Sequence, residues 1–161
     1  MDAAWDSQLT AFLSDLSDVQ DVSLDLLTRK RELLVASDRE GLVALGAEEE
    51  RLIERLQGCL TRREELLRQA AGQGLPSESI RSLAGALPEA QRAPLTAEIQ
   101  KATSQARLLQ HQSLTNWLIV QRTLIHLSQM LEIIATGGRL KPTYGKDHLN
   151  SNRGTLLNQV V

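Results

Sequence analysis

The chain has 161 residues and a mass of 17.8 kDa, which is enough for one domain with a modest core. Thirty leucines stand beside only four aromatic residues, so the composition favours helix and excludes an all-β sandwich. The formal net charge of −2 gives no general reason to expect nucleic acid or an acidic substrate. The charge is nevertheless unevenly spread. Residues 1–28 hold six aspartates and no Lys or Arg, whereas residues 101–161 carry seven Lys/Arg against two acids, a formal +5.

The single cysteine, Cys59, excludes an internal disulfide and a zinc site built from several cysteines. The amino-terminal residues lack the basic and apolar segments of a signal peptide. The longest apolar stretch, residues 117–120, is far too short to span a membrane. We therefore expect a cytosolic protein without membrane insertion.

Residues 3–36 are predicted to form one long helix, because apolar residues recur there at alternating spacings of four and three. Ser23 and Lys30 interrupt this row. A second apolar row widens the stripe beyond that of a two-stranded coiled coil, which is typical of a bundle helix. The main row consists of Trp5, Leu9, Phe12, Leu16, Val19, Leu26 and Leu33.

A second helix is predicted over residues 38–71, with a break and an N-cap at Ser37-Asp38. Glycine and proline residues between 72 and 76 end it. Its apolar row is interrupted by the charged residues Glu49 and Arg63. The rest of the row consists of Leu42, Leu45, Leu52, Leu56, Cys59, Leu66 and Ala70.

A third long helix is predicted over residues 95–135, where apolar residues again follow spacings of three and four. A short helix at about 77–86, capped by Ser77-Glu78, precedes it. Pro88 and Pro94 then predict a linker or a kinked start of the third helix.

The sequence therefore predicts an all-α fold, an elongated antiparallel helical bundle or coiled coil of three long helices with a short additional one. The helical domain is expected to cover residues 1–138, with Gly137-Gly138 as a stop signal. Residues 139–161 show no sustained periodicity and are rich in turn formers. We expect them to form a flexible C-terminal tail.

No catalytic motif is found: the chain has no Walker loop, no dinucleotide-binding glycine motif, no nucleophile elbow and no H-E-x-x-H. The Glu-x-x-His pairs of di-iron bundles are absent too. His111 and His126 lie about four helical turns apart, too far to chelate one metal. Cys59 is interpreted as a small buried side chain, with a reactive nucleophile as the alternative. We therefore expect no enzyme activity, no metal site and no cofactor.

Two polar residues, Ser113 and Asn116, stand where the row of the third helix should be apolar. One interpretation is a device that fixes the register of two packed helices, as a buried asparagine does in coiled coils. The other is that the helix surface turns away from the core at this point. The sequence leaves both interpretations open.

The last turns of the third helix are apolar on almost every face, because Ile119, Ile125, Met130 and Ile133 add to the main row. A three-helix core cannot cover every face of one helix. This surplus is therefore extra core, an interface with a second copy of the chain, or a docking site for a partner helix.

Three features of the sequence resemble the FlgN family of flagellar type III export chaperones. The first is the order of the elements: a long helical hairpin whose charges change from acidic to mixed along the chain, then a Gly/Pro break and a long third helix. The second is the segment Leu42–Leu45 followed by Glu48–Leu56, which is similar to the family's A-L … E-K-E-x-L-I-x-x-L text. The third is the end of the predicted third helix, Ala135-Thr136-Gly137-Gly138, which is followed shortly by Tyr144-Gly145. The resemblance covers about residues 3–147.

The resemblance implies a cytosolic, non-enzymatic chaperone for the hook–filament junction proteins FlgK and FlgL. It would bind their C-terminal helical segments, prevent premature assembly and deliver them to the export-gate component FlhA. The client would dock on the third helix, and the tail would remain free for the gate, with Tyr144 as the gate-docking residue. The expected client-binding residues are Trp117, Val120, Leu124, Leu127, Met130, Leu131 and Ile134.

An alternative uses the same helices in a homo-oligomeric coiled-coil adaptor with no export role, in which the apolar surplus forms a homodimer interface. Nucleic-acid binding is not expected, because the basic residues of the C-terminal part are scattered and only one aromatic residue accompanies them in the tail.

Overall fold

The structure, a computed structural model, describes residues 2–136 and the side chains of residues 5–135. It contains four helices: α1 (Asp2–Ala36), α2 (Arg39–Gly72), α3 (Ile80–Gly85) and α4 (Glu89–Thr136). No strand occurs in this part of the chain. The predicted all-α fold, with three long helices and a short one, is confirmed. The predicted flexible tail, residues 139–161, lies outside the described residues.

A tight turn joins α1 to α2. Ser37 adopts a left-handed conformation with φ 55°, and the carboxylate of Asp38 accepts a hydrogen bond from the Gly41 amide at 2.9 Å. Asp38 is thus the N-cap of α2. A Cβ atom on Gly41 would lie 2.5 Å from Cδ2 of Leu33, so a larger residue there would require the end of the Leu33 side chain to move.

Replacing Asp38 with alanine is expected to lower the free energy of unfolding by about 1 kcal/mol, because a helix N-terminal amide loses its acceptor. Urea titration followed by circular dichroism measures this difference. Asp38→Asn is the matched control, since asparagine caps helices about equally well. An alanine variant as stable as the asparagine variant would contradict the capping role.

The apolar core forms two clusters along the bundle. All four helices contribute to the first, which we name the four-helix cluster, and the Trp5 indole at its edge donates to Gln73 Oε1 at 3.0 Å. The second, the hairpin cluster, is built from α1 and α2. The four-helix cluster consists of Trp5, Leu9, Phe12, Leu13, Leu66, Ala70, Ile80, Leu83, Ala84, Leu87 and Leu95. The hairpin cluster consists of Val19, Leu26, Leu45 and Leu52, with Leu33, Leu56 and Cys59 packed against them.

Three of the four residues that interrupt the predicted apolar rows of α1 and α2 have hydrogen-bond or ion-pair partners: Ser23, Lys30 and Glu49. Lys30 of α1 forms an ion pair with Glu49 of α2. Ser23 is buried and donates to the Val19 carbonyl one turn earlier at 2.7 Å. Beside the Lys30 pair, hydrogen bonds from Arg29 lower the pKa of the Glu48 carboxyl below its ordinary value. The Arg29–Glu48 pair is exposed and contributes little to stability, whereas the Lys30–Glu49 pair is partly buried; both join α1 to α2 and fit one register of the hairpin.

Both helix starts after the hairpin differ from the prediction. Ser79, and not Ser77-Glu78, caps α3 through a capping box with Ser82. Helix α4 begins at Glu89, six residues before the predicted start, and contains Pro94. Proline in a helix removes the hydrogen bond to the carbonyl four residues earlier, and its ring crowds that carbonyl. Leu95, which follows Pro94, is buried in the four-helix cluster, and Ile99 packs against the same cluster one turn later, so apolar burial favours the helical conformation at the start of α4.

Hydrogen bonds fix the direction of α4 within the bundle. Gln20 of α1 contacts the carbonyl of Ala102, and Leu27 of α1 contacts Asn116. Residue numbers rise together on the two helices, so α4 runs parallel to α1 and antiparallel to α2. The chain divides into two compact units, Met1–Leu124 and Ile125–Val161, and the bundle belongs to the first. The predicted domain boundary at residue 138 lies outside the described residues and stays a prediction.

Candidate protein-binding surface

Helix α4 is buried only near its start. Leu95 and Ala102 are buried, and Leu95 belongs to the four-helix cluster. From Thr103 to Ala135, Asn116 is the only buried residue. All other residues from Thr103 to Ala135 are therefore half-buried or exposed within their units.

In the first unit, the later part of α4 exposes large apolar side chains. The Trp117 indole is 57% exposed, which is unusual for so large an apolar group. Val120 is half-buried, whereas Leu124 is exposed. Leu114 and Leu118, one turn apart, are exposed as well. The sequence analysis did not predict a role for these two leucines, because they lie off the main apolar row. Their i,i+4 spacing nevertheless indicates that they share one face of the helix.

In the second unit, every described side chain from Ile125 to Ala135 is exposed. Four of them, at i, i+3, i+4 and i+7, share one face of the helix and form what we name the apolar stripe. Ile125 and Ile133 lie outside this face and are also exposed. The apolar stripe consists of Leu127, Met130, Leu131 and Ile134.

The seven residues predicted to bind the client all lie on α4. Trp117, Val120 and Leu124 belong to the first unit, and the apolar stripe belongs to the second. Six of the seven are exposed, with Val120 the exception. Extra core packing therefore does not cover them within residues 2–136. Their role in binding stays a prediction, and Tyr144 lies outside the described residues.

Ser113 and Asn116, the two polar residues that interrupt the apolar row of α4, differ in their burial. Ser113 is exposed, as expected for a surface that turns away from the core. Asn116 is buried, and its side-chain amide donates to the Leu27 carbonyl of α1 at 2.9 Å. This contact agrees with the register interpretation for Asn116, because the amide bonds only one position on the facing helix.

The described residues contain no group of three or more metal-ligating side chains. His111 and His126 are exposed. Cys59 is half-buried against the hairpin cluster, and burial raises the pKa of its thiol. The thiol is therefore protonated at neutral pH, which agrees with the packing interpretation rather than with a nucleophile. None of the described helices is long and apolar enough to cross a membrane.

In the second unit, the apolar side chains of the stripe at i, i+3, i+4 and i+7 have the spacing of the anchor residues through which an amphipathic helix docks on another protein. The family model described as FlgN protein matches residues 1–152, and the chain belongs to this family. The FlgN family is a family of flagellar export chaperones and not of enzymes, and this chain is a flagellar export chaperone in that general sense. No curated protein and no solved structure matches the chain significantly.

Proposed function

We propose that this protein is a cytoplasmic chaperone for hook–filament junction proteins of the FlgK and FlgL type. It binds their C-terminal helical segments on α4, which prevents premature assembly, and delivers them to the export-gate component FlhA. The observation that carries the proposal is the exposure of the apolar stripe in the second unit, and Trp117 and Leu124 are exposed in the first. Membership of the FlgN family supports it.

The chemistry of the stripe favours an amphipathic helix as the client. Its members are aliphatic or thioether side chains, and within Ile125–Ala135 only Glu132 and His126 are titratable. Affinity would therefore come mainly from apolar burial, at about 25 cal/mol per Å² before the costs of ordering. Met130 adds adaptability, since an unbranched thioether fits irregular partner surfaces.

Co-purification of the full chain with C-terminal segments of FlgK and FlgL tests the client assignment. We expect a complex with one chaperone per segment, measured by size exclusion with light scattering. A scrambled segment of equal composition is the control. If the chain binds neither segment and forms a tight, concentration-independent dimer, the homo-oligomeric adaptor is the better description.

We assign gate docking to Tyr144. Replacing it with alanine is expected to weaken binding of the chaperone–client complex to the cytoplasmic part of FlhA by at least tenfold, because a tyrosine is a typical interface anchor. Affinity for the client should stay unchanged. Titration of both partners against wild type and variant measures this separation. Equal loss of client and gate binding would contradict the assignment.

A further inference from the structure

Helix α4 is attached to the bundle in two chemically different ways. Near its start, Leu95 and Ile99 pack into or against the four-helix cluster. Farther along, the neighbouring apolar cluster is the hairpin cluster, whose members come from α1 and α2. From Thr103 to Leu124, the only buried residue of α4 is an asparagine. Apolar burial thus holds the start of α4 far more strongly than this later segment.

Polar contacts join the later segment to α1. The Gln20 side chain donates to the Ala102 carbonyl at 2.9 Å, and Gln105 donates to the Asp21 carboxylate. The Thr28 hydroxyl lies 3.4 Å from Gln112 Oε1, although its one proton has a closer acceptor in the Leu24 carbonyl at 2.9 Å. Asn116 completes the series with its bond to Leu27. We name this row of contacts the amide seam.

Three oxygen atoms of the amide seam are buried without a hydrogen-bond donor among the described residues. They are Gln20 Oε1, Gln105 Oε1 and Asn116 Oδ1. A buried acceptor without a donor costs free energy that contact with water would recover. An open groove lies between α1 and the first turns of α4, lined among others by Asp18, Glu98 and Lys101, and it meets the seam at Asp21. Water therefore reaches the edge of the seam already.

We infer that residues 103–124 of α4 separate from α1 along the amide seam while the α1–α2 hairpin and the four-helix cluster stay folded. Opening satisfies the three orphan oxygens with water and sacrifices little apolar burial, so it lies at the low end of the stability range within one protein. It uncovers the half-buried side chains of Leu109 and Val120 on α4 and of Leu24 and Leu27 on α1. An amphipathic partner helix then binds in the opened cleft as well as on the exposed face of α4. This second step rests on the function proposed above, whereas the opening needs no client.

Amide hydrogen exchange of the full chain without any client tests the opening. We expect residues 103–116 to exchange at least tenfold faster than residues 62–70, which belong to the same unit. Uniform protection across these two segments would overturn the inference.

A double variant, Gln20→Leu with Asn116→Leu, replaces two seam amides with apolar side chains of similar size. We expect exchange of residues 103–116 to slow at least tenfold. The matched control is Gln57→Leu with Gln110→Leu, two exposed positions of which one lies on the same segment. Unchanged exchange in the seam variant, or equal slowing in the control, would overturn the inference.

Asn116→Asp provides the opposite test and decides the matter if the leucine variant does not fold. It removes the donor to Leu27 and adds a charge, so residues 103–116 should exchange faster while residues 62–70 stay protected. Equal loss of protection in both segments would show that α4 does not open independently.

Binding of the FlgK or FlgL segment to the leucine variant then tests the second step. A tenfold weaker affinity is expected if the client enters the cleft. Unchanged affinity, with exchange slowed as expected, would overturn the use of the cleft while leaving both the opening and the proposed chaperone function intact.

Discussion

A variant with Leu127→Asp and Leu131→Asp is expected to lose at least 100-fold in affinity for the C-terminal segment of FlgK or FlgL while remaining folded. The two leucines are 49% and 66% exposed, so their replacement opens no cavity in the chain. In a complex, however, two carboxylates would be transferred from water into an apolar interface. A 100-fold loss corresponds to about 2.8 kcal/mol. Isothermal titration calorimetry measures it.

The control for this variant places the same two charges on another helix. Ile53 and Leu60 of α2 are each 53% exposed, so Ile53→Asp with Leu60→Asp matches the change in exposure and charge. Its affinity for the segment should equal that of the wild type. Both variants should keep the wild-type circular dichroism signal. Full affinity in the Leu127/Leu131 variant, or an equal loss in the control, would contradict the assignment of the stripe.

Leu66→Ala is expected to lower the free energy of unfolding by about 2–5 kcal/mol, the range found when a buried leucine is truncated. Leu66 is 0% exposed and packs in the four-helix cluster, where all four helices meet. The change removes apolar contacts and leaves a cavity that the surrounding helices fill only partly. Urea unfolding followed by circular dichroism measures the difference.

Leu60→Ala on the same helix is the matched control, because this leucine is exposed. Its effect should stay within about 0.5 kcal/mol, as for most surface substitutions. If the two leucines cost the same, the four-helix cluster would not be the main source of stability in the bundle.

The helical fold could be predicted from residue spacing because apolar burial follows the helical period. In α1, the row from Trp5 through Leu26 is buried apart from Leu16, which is partly buried, as the 4,3 spacing predicts. The spacing also marked Lys30 and Glu49 as interruptions. It did not show that they pair, because pairing depends on the register of the hairpin, which follows from the turn capped by Asp38.

Two features depended on tertiary packing and escaped prediction. Pro94 suggested a later start for α4, but burial around it outweighs one missing hydrogen bond. The sequence left two interpretations of Asn116 open, because periodicity assigns a residue to one side of its helix but does not identify the neighbouring element that packs there. Its partner is a backbone carbonyl of α1, which no side-chain pattern reveals.

The candidate surface was predictable in position but not in exposure. The sequence indicates that α4 carries more apolar surface than three helices can cover, because its last turns hold Leu127, Met130, Leu131 and Ile134 on one face. Whether such a face is core or surface depends on where the neighbouring elements lie. Within residues 2–136 the face is exposed, and the occupant that we propose for it is the client segment.

The most direct test of client docking on α4 is the fluorescence of Trp117. In a Trp5→Phe background Trp117 is the only tryptophan, and it is an exposed member of the proposed surface. Adding a tryptophan-free FlgK or FlgL segment should shift its emission to shorter wavelength and protect it from acrylamide quenching, saturating at one segment per chain. A segment that binds by calorimetry while the emission and quenching of Trp117 stay unchanged would contradict the docking of clients on α4.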